Sequence, residues 1–282
     1  MPIATTLSTT VQRVLRRARS TPPIAAMRRA RARAEFLSPA GFTRCWGVYP
    51  DFATARAAAP ASAEFDTASL VDAYVRERTR HVFAYDYPVM WWLREAFAGG
   101  ATRVFDLGGS VGVHYYAYRP HLAYPAALVW TVREVPTLVR RGRDLAAQQD
   151  APGLTFTDAL DAPDAAADVW LAAGALQYVE GAASLGGWLA ASRRPPAHVI
   201  INKVPLYDGP AFVTLQNIGD GAFAPFHVYQ RRRFIAEVEA AGYRLVESWQ
   251  TPERELQLFD APPGPSGAFS GLYFARTTPP AR

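Results

Sequence analysis

The sequence is poor in the features that mark several common functional classes. Cys45 is its only cysteine, so no internal disulfide can form, and no Cys/His cluster has zinc spacing. We therefore predict no metal site and a reducing, cytoplasmic setting. No apolar run reaches the roughly 18 residues of a membrane-spanning helix. A P-loop is also excluded, because the GxxxxGK[ST] pattern is missing.

Acidic residues are scarce at one end of the chain. Residues 1–35 hold eight arginines against one glutamate, a balance of +7 in a chain of net charge +5, so the remainder sums to −2. The basic charge belongs to a helical arm, residues 1–36, and we predict no nucleic-acid partner for the body. Three interpretations of the arm stay open: a solvated arm packed on the domain, a surface helix in weak contact with anionic lipid at the membrane periphery, and an organelle transit peptide.

Beyond the arm, the hydrophobic pattern divides the chain in two. Residues 37–100 are rich in aromatic side chains and predict a mostly helical cap that starts with a loop at 41–52. In residues 101–282, short apolar runs alternate with helical patterns, which predicts an α/β fold with a mostly parallel sheet and helices on both faces. The last two strands are predicted to form an antiparallel pair at the sheet edge, and residues 202–229 a long connection.

The stretch VFDLGGSVG follows the first predicted strand of this sheet. Ligands of open α/β sheets bind beyond the carboxyl ends of the strands. Gly108 and Gly109 allow the backbone to approach a ligand, Gly112 allows close packing of the next helix, and Asp106 is predicted to accept hydrogen bonds from the ligand. A dinucleotide would require GxGxxG. S-adenosylmethionine has no phosphate and carries two cationic groups, so it suits an acid beside the loop. A purely structural turn is the alternative.

Two more acids follow the next strands. Glu134 ends the second strand, where an acid can bind both ribose hydroxyls of a nucleoside. Asp158 follows the third strand and could bind the adenine amine. The alternatives are an exposed charge for Glu134 and a helix cap for Asp158.

The whole pattern resembles the class I S-adenosylmethionine-dependent methyltransferases. More narrowly, GGSVGVHYY at 108–116 is similar to the GGSxGxHYY motif of a bacterial methyltransferase family, and LQY at 176–178 and TLQN at 214–217 match its later segments. The serines usual before LQY are replaced by Ala-Gly-Ala. The resemblance implies a Rossmann-like sheet with an antiparallel last strand, S-adenosylmethionine as cofactor, and Ser110 and Gly174 beside it. It also suggests a small molecule or a glycan precursor as substrate.

Polar rings near the loop are the candidate catalytic groups. His114 and Tyr115 open the helix after the loop, where His114 could accept a proton and Tyr115 could line the methyl channel. His227 is a second candidate base. Each of the three could instead be a packing residue, and Lys203 is either a surface charge or a site for an acidic group.

Three functions are consistent with this sequence. The leading hypothesis is methyl transfer to an O or N acceptor. The second is a catalytically silent binding or scaffold protein with the same fold, and the third is a nicotinamide-dependent oxidoreductase or epimerase.

Overall fold

The structure, a computed structural model, describes residues 22–66, 74–159, 167–180, 185–260 and 268–277. The helices of four or more residues with α-helical geometry are α1 (Pro22–Leu37), α2 (Phe52–Ala57), α3 (Tyr87–Ala98), α4 (Val113–Tyr118), α5 (Pro136–Gln148), α6 (Leu185–Ala191) and α7 (Arg231–Ala240). The strands are β1 (Cys45–Tyr49), β2 (Arg103–Leu107), β3 (Val129–Arg133), β4 (Leu154–Thr157), β5 (Val169–Ala173), β6 (His198–Val204), β7 (Leu206–Tyr207), β8 (Phe212–Gly219), β9 (Ala222–Gln230), β10 (Tyr243–Glu255), β11 (Leu258–Phe259) and β12 (Ala268–Arg276).

Seven strands form the larger sheet, in the order β10-β12-β6-β5-β2-β3-β4. The neighbours from β6 to β4 pair in parallel, whereas β12 runs antiparallel to both β6 and β10. The predicted α/β fold, with a parallel sheet and an antiparallel pair at its edge, is therefore confirmed. The strand order reverses beside β2, which is where ligands of such sheets bind.

Both faces of the larger sheet are buried. Alternate residues of β2 point to opposite sides: Val104 packs with the helices α3, α4 and α5, while Phe105 and Leu107 pack with α6 and α7. A strand buried on both faces reads as an almost continuous apolar run, which is why RVFDL was recognisable in the sequence.

A second sheet, in the order β11-β1-β8-β9-β7, corrects two predictions. The predicted loop at 41–52 contains β1, and the predicted connection at 202–229 contains the antiparallel pair β8 and β9. Asp220 and Gly221 form the two-residue turn between β8 and β9, with φ of 50° and 74°. Two central residues of positive φ give the turn type that matches the twist of a hairpin, so this turn holds the pair in register.

Helix α1, the described part of the predicted arm, packs on the second sheet. Phe36 is buried against Trp46 and Phe223, and the amide of Asn217 donates to its carbonyl oxygen at 2.6 Å. The last turn of α1 thus belongs to the core of this sheet. Residues 1–21 lie outside the described residues, so the interpretations of the arm stay predictions. None of the helices described is long and apolar enough to cross a membrane.

Candidate functional site

A cavity of about 630 Å³ lies at the carboxyl ends of the central strands. Its floor comes from residues at the carboxyl ends of β2, β3, β5 and β6, and Gln216, Asn217 and Ile218 of β8 belong to its wall. The second sheet therefore covers one side of the site. Small-molecule sites commonly measure about 300–1,000 Å³, so the cavity can hold a nucleoside-sized ligand together with a second small molecule.

The glycine loop forms one wall of this cavity. Gly108 has φ of +68°, and a Cβ added there would lie 2.1 Å from the Cβ of Ala175. A Cβ on Gly109 would lie 2.4 Å from Oδ2 of Asp106. Both glycines are thus required by the close approach of neighbouring protein groups. Gly108 lines the cavity and Gly109 and Gly112 do not, and their contact with a ligand stays a prediction. Gly112, with φ of +90°, directly precedes α4.

Asp106 lies behind the glycine loop and has no exposed surface. Its Oδ2 is 2.9 Å from Nδ1 of His114 and accepts a hydrogen bond from Nε1 of Trp130 at 3.1 Å. Asp106 is not among the residues that line the cavity, which corrects the prediction that it binds the ligand directly. Burial under the loop is the reason: the carboxylate contacts Gly109 and His114 instead.

His114 does line the cavity. A carboxylate only accepts hydrogen bonds, so Nδ1 of His114 carries the proton that points at Asp106. In the neutral imidazole the second ring nitrogen, Nε2, then has a lone pair that can accept a proton. Asp106 and His114 therefore form a buried pair that could accept one proton from a molecule in the cavity.

Glu134 follows β3 and lines the cavity beside Gly108. Its Oε1 accepts from the amide of Ser110 at 3.1 Å, and its Oε2 from the amide of Val135 at 2.9 Å. These bonds fix the carboxylate against the loop. The two hydrogen bonds lower the pKa of Glu134, but burial of the carboxylate has the larger effect and raises the pKa to about 7.

The raised pKa of Glu134 predicts a pH-dependent site. The folded value lies above the ordinary value of 4.5, so unfolding releases a proton between about pH 4.5 and 7. The free energy of unfolding of the ligand-free protein should therefore fall as pH rises through this window. Ribose hydroxyls donate to the carboxylate form, so the affinity for S-adenosylhomocysteine should rise about tenfold between pH 6 and pH 8. Calorimetric titration across this range measures it.

Glu134→Gln is the matched variant for this pH series. The amide does not titrate, so the variant should bind weakly and equally at every pH. A wild-type affinity that stays constant from pH 6 to 8 would contradict the assignment of Glu134 to the ribose.

Three buried polar atoms along the cavity have no hydrogen-bond partner within the described residues. They are Oγ of Ser110, Oε1 of Gln177 and Nε of Arg133. Buried polar atoms are rarely left unpaired, so these atoms indicate a polar ligand that supplies the missing bonds. Gln177 and Arg133 were not predicted as site residues, and Gln177 could have been found only through the LQY resemblance.

The other predicted residues are placed as follows. Gly174, with φ of +91°, lines the cavity. Tyr115 is buried against Trp130 and Tyr124 and does not line the cavity. His227 stacks on Tyr229 in β9, and Asp158 is exposed after β4; both lie outside the cavity lining. Burial lowers the pKa of His227. The structure therefore does not bring Tyr115, His227 and Asp158 to this site.

No protein-family model matches the chain, and no curated protein matches it. Among solved structures, it is similar to the Burkholderia thailandensis 1,6-didemethyltoxoflavin-N1-methyltransferase bound to 1,6-didemethyltoxoflavin and S-adenosylhomocysteine, at 19% identity over 82% of this chain and 95% of that chain, with a TM-score of 0.45. It is also similar to the N-terminal domain of EvdMO1 with SAH bound (16% identity, 70% and 83% covered, TM-score 0.45). A third is the cyclase SpnF (13% identity, 68% and 81% covered, TM-score 0.47).

Proposed function

We propose that this protein is a methyltransferase that uses S-adenosylmethionine to methylate an oxygen or nitrogen of a small molecule or glycan precursor. The observation that carries the proposal is the cavity at the strand ends, with Glu134 and the glycine loop on one side and His114, hydrogen-bonded to the buried Asp106, in its lining. The resemblance of residues 108–116 to the GGSxGxHYY family supports the same function.

The residues of the loop fit a nucleoside without phosphates. Two acids, Glu134 and the buried Asp106, lie within contact of the loop and would repel a pyrophosphate, whereas a sulfonium and an ammonium are favoured beside them. Glu134 would hold the ribose hydroxyls. Ser110 and Gln177 offer a hydroxyl and a carbonyl oxygen that have no hydrogen-bond partner among the described residues, and both fit the polar atoms of the cofactor. When bound, S-adenosylmethionine supplies a methyl group activated by its positively charged sulfur.

The protein's part in the transfer is to take up a proton and to exclude water. His114 Nε2 accepts the proton that the acceptor hydroxyl or amine gives up. Asp106 keeps the proton of His114 on Nδ1 and stabilises the cation that forms. Aromatic side chains enclose the site, among them Phe83 and Tyr118, and the second sheet covers it. A preorganised site that is shielded from water on these sides suits a displacement that depends mainly on positioning.

Calorimetric titration with S-adenosylhomocysteine tests the proposal first. We expect a micromolar or tighter dissociation constant, and no binding of NADH under the same conditions. Tight NADH binding without S-adenosylhomocysteine binding would replace the proposal with an oxidoreductase.

Transfer of radiolabelled methyl groups from S-adenosylmethionine to a panel of hydroxylated and amino compounds then tests catalysis. Labelled product is the expected result. Cofactor binding without transfer to any member of a broad panel would favour the silent binding protein over the enzyme.

A further inference from the structure

Two cationic side chains meet one pair of aromatic rings in a different part of the cavity. Nη1 of Arg78 donates to the hydroxyl of Tyr85 at 2.8 Å, and its guanidinium lies 4.7 Å from the ring centre of Phe83. Nζ of Lys203 lies 4.9 Å from the ring centre of Tyr85. Phe83 and Tyr85 stack on each other, with ring centres 5.2 Å apart. Arg78, Phe83 and Lys203 all line the cavity.

This arrangement is fixed by a buried amide. Asn202 is 1% exposed; its Nδ2 donates to the carbonyl of Tyr85 at 2.8 Å, and its Oδ1 accepts from the backbone amide of Lys203 at 3.1 Å. Nε1 of Trp249 donates to the same oxygen. Lys203 is thereby held at φ of +54°, a left-handed conformation that a residue with a side chain rarely adopts. Backbone strain that is held in place by surrounding hydrogen bonds is typical of functional positions.

The order of the strands in the larger sheet places Lys203 apart from Glu134, which lines the side of the cavity proposed to hold a nucleoside. Glu134 follows β3 and Lys203 lies in β6, with β2 and β5 between them. Adjacent strands are about 4.8 Å apart, so the two residues stand on strands roughly 14 Å apart. His114, which follows β2, lies between these two strands in the sheet order, so a proton acceptor stands between a nucleoside site and a cationic site.

Arg78 carries a positive charge in the lining of the cavity. Within the part of the chain that the structure describes, no carboxylate lies within ion-pair distance of its guanidinium. The nearby Asp86 accepts hydrogen bonds from the amide of Phe83 and the hydroxyl of Tyr118. Arg78 has five N–H donors, and its bond to Tyr85 uses one.

We propose that Arg78 and Lys203 bind an anionic group, a carboxylate or a phosphate, of the methyl acceptor. This inference rests on the proposed function and narrows it: the substrate is an acid, whose charged group is held at β6 while its hydroxyl or amine faces His114. We call this site the Arg78–Lys203 subsite.

Nuclear magnetic resonance titration of the S-adenosylhomocysteine complex with inorganic phosphate, and separately with acetate, tests the subsite at constant ionic strength. Wild-type protein should bind at least one of the two anions, and the tighter one identifies the phosphate or carboxylate source. Arg78→Gln should weaken that binding about tenfold or more, the loss expected for one charged hydrogen-bonding group. Arg94→Gln is the matched control, because Arg94 also lies over an aromatic ring, that of Trp91, but outside the cavity.

A second arm distinguishes the acceptor from the cofactor, whose amino-acid part also carries a carboxylate. Wild type and Arg78→Gln are titrated with S-adenosylhomocysteine and with methylthioadenosine, which lacks that carboxylate. Unchanged affinities for both support the subsite. A loss for S-adenosylhomocysteine alone would assign Arg78 to the cofactor and overturn the proposal, as would equal anion binding by wild type and Arg78→Gln, or no anion binding by wild type.

The titration with S-adenosylhomocysteine separates this inference from the proposed function. Wild-type protein that does not bind it refutes the proposed function, and the anion titration is then run on the protein alone. Equal thermal midpoints of wild type and variants show that the comparison concerns binding rather than folding.

Discussion

Gly108→Ala should abolish binding of S-adenosylhomocysteine and lower the free energy of unfolding by about 2–5 kcal/mol. About 1–2 kcal/mol of this comes from the left-handed backbone, and about 1–3 kcal/mol from overpacking, because the new Cβ would lie 2.1 Å from the Cβ of Ala175. The loop must move to relieve the contact, and it then leaves the position in which it meets a ligand. Urea denaturation and calorimetric titration measure the two effects.

Two further variants separate the contact from the backbone conformation. Gly100 also has positive φ, but a Cβ there meets nothing within 4 Å, so Gly100→Ala should show only the left-handed penalty. In the double variant Gly108→Ala with Ala175→Gly, the clashing atom is removed, so the binding and the part of the stability lost to overpacking should return, while the left-handed penalty remains. A double variant no better than Gly108→Ala would refute this account of the loop.

His114→Asn should lower the turnover number by about 100-fold to 10,000-fold and leave the affinity for S-adenosylhomocysteine unchanged. The reason is the role proposed for His114, whose Nε2 accepts the proton of the methyl acceptor while Asp106 holds the proton on Nδ1. The measurement is steady-state methyl transfer to an acceptor found in the panel, beside calorimetric titration of the cofactor product. His227→Asn is the control: His227 is stacked on Tyr229 away from the cavity lining, and turnover should stay within about twofold.

Asp106→Asn tests the His114–Asp106 pair by changing which ring nitrogen of His114 carries the proton. The amide oxygen can still accept from Trp130, but the amide nitrogen then donates to Nδ1 of His114, which moves the proton to Nε2 and removes the base. The turnover number should fall as it does for His114→Asn, while the Michaelis constant for S-adenosylmethionine changes little. A parallel loss of affinity and turnover would instead show that Asp106 only supports the fold of the loop.

The parallel sheet was predictable because its signals are local. Each strand from β2 to β6 is an apolar run bounded by helix or turn residues, and three glycines within five positions mark the loop after β2. Glu134, predicted from its position at a strand end, His114, predicted from its position after the glycine loop, and Ser110, predicted through the resemblance, all line the cavity. Their roles toward cofactor and substrate stay predictions.

The second sheet and the cationic part of the cavity depend on contacts between residues far apart in the chain, which no short stretch of sequence contains. β1 pairs with β8, so Cys45 meets Gln216. Pro225 makes the sequence of β9 resemble a loop, because proline is confined to strand positions that need no backbone N–H. The Asp220–Gly221 turn was a usable signal for this hairpin. Arg78 reaches the cavity only through the packing of Phe83 and Tyr85, and nothing in its sequence neighbourhood predicts that.

The pairing of β1 with β8 has a consequence for biosynthesis. The strands β2 to β5, with Glu134 and the glycine loop, leave the ribosome well before the hairpin of β8 and β9 does. A nascent chain of that length has the floor of the cavity but not the second sheet that covers it. Its incomplete site therefore stays open to water. A ligand can therefore stabilise only a chain in which the hairpin of β8 and β9 has already paired with β1. Bound ligand would protect complete chains from proteolysis and leave truncated chains unprotected.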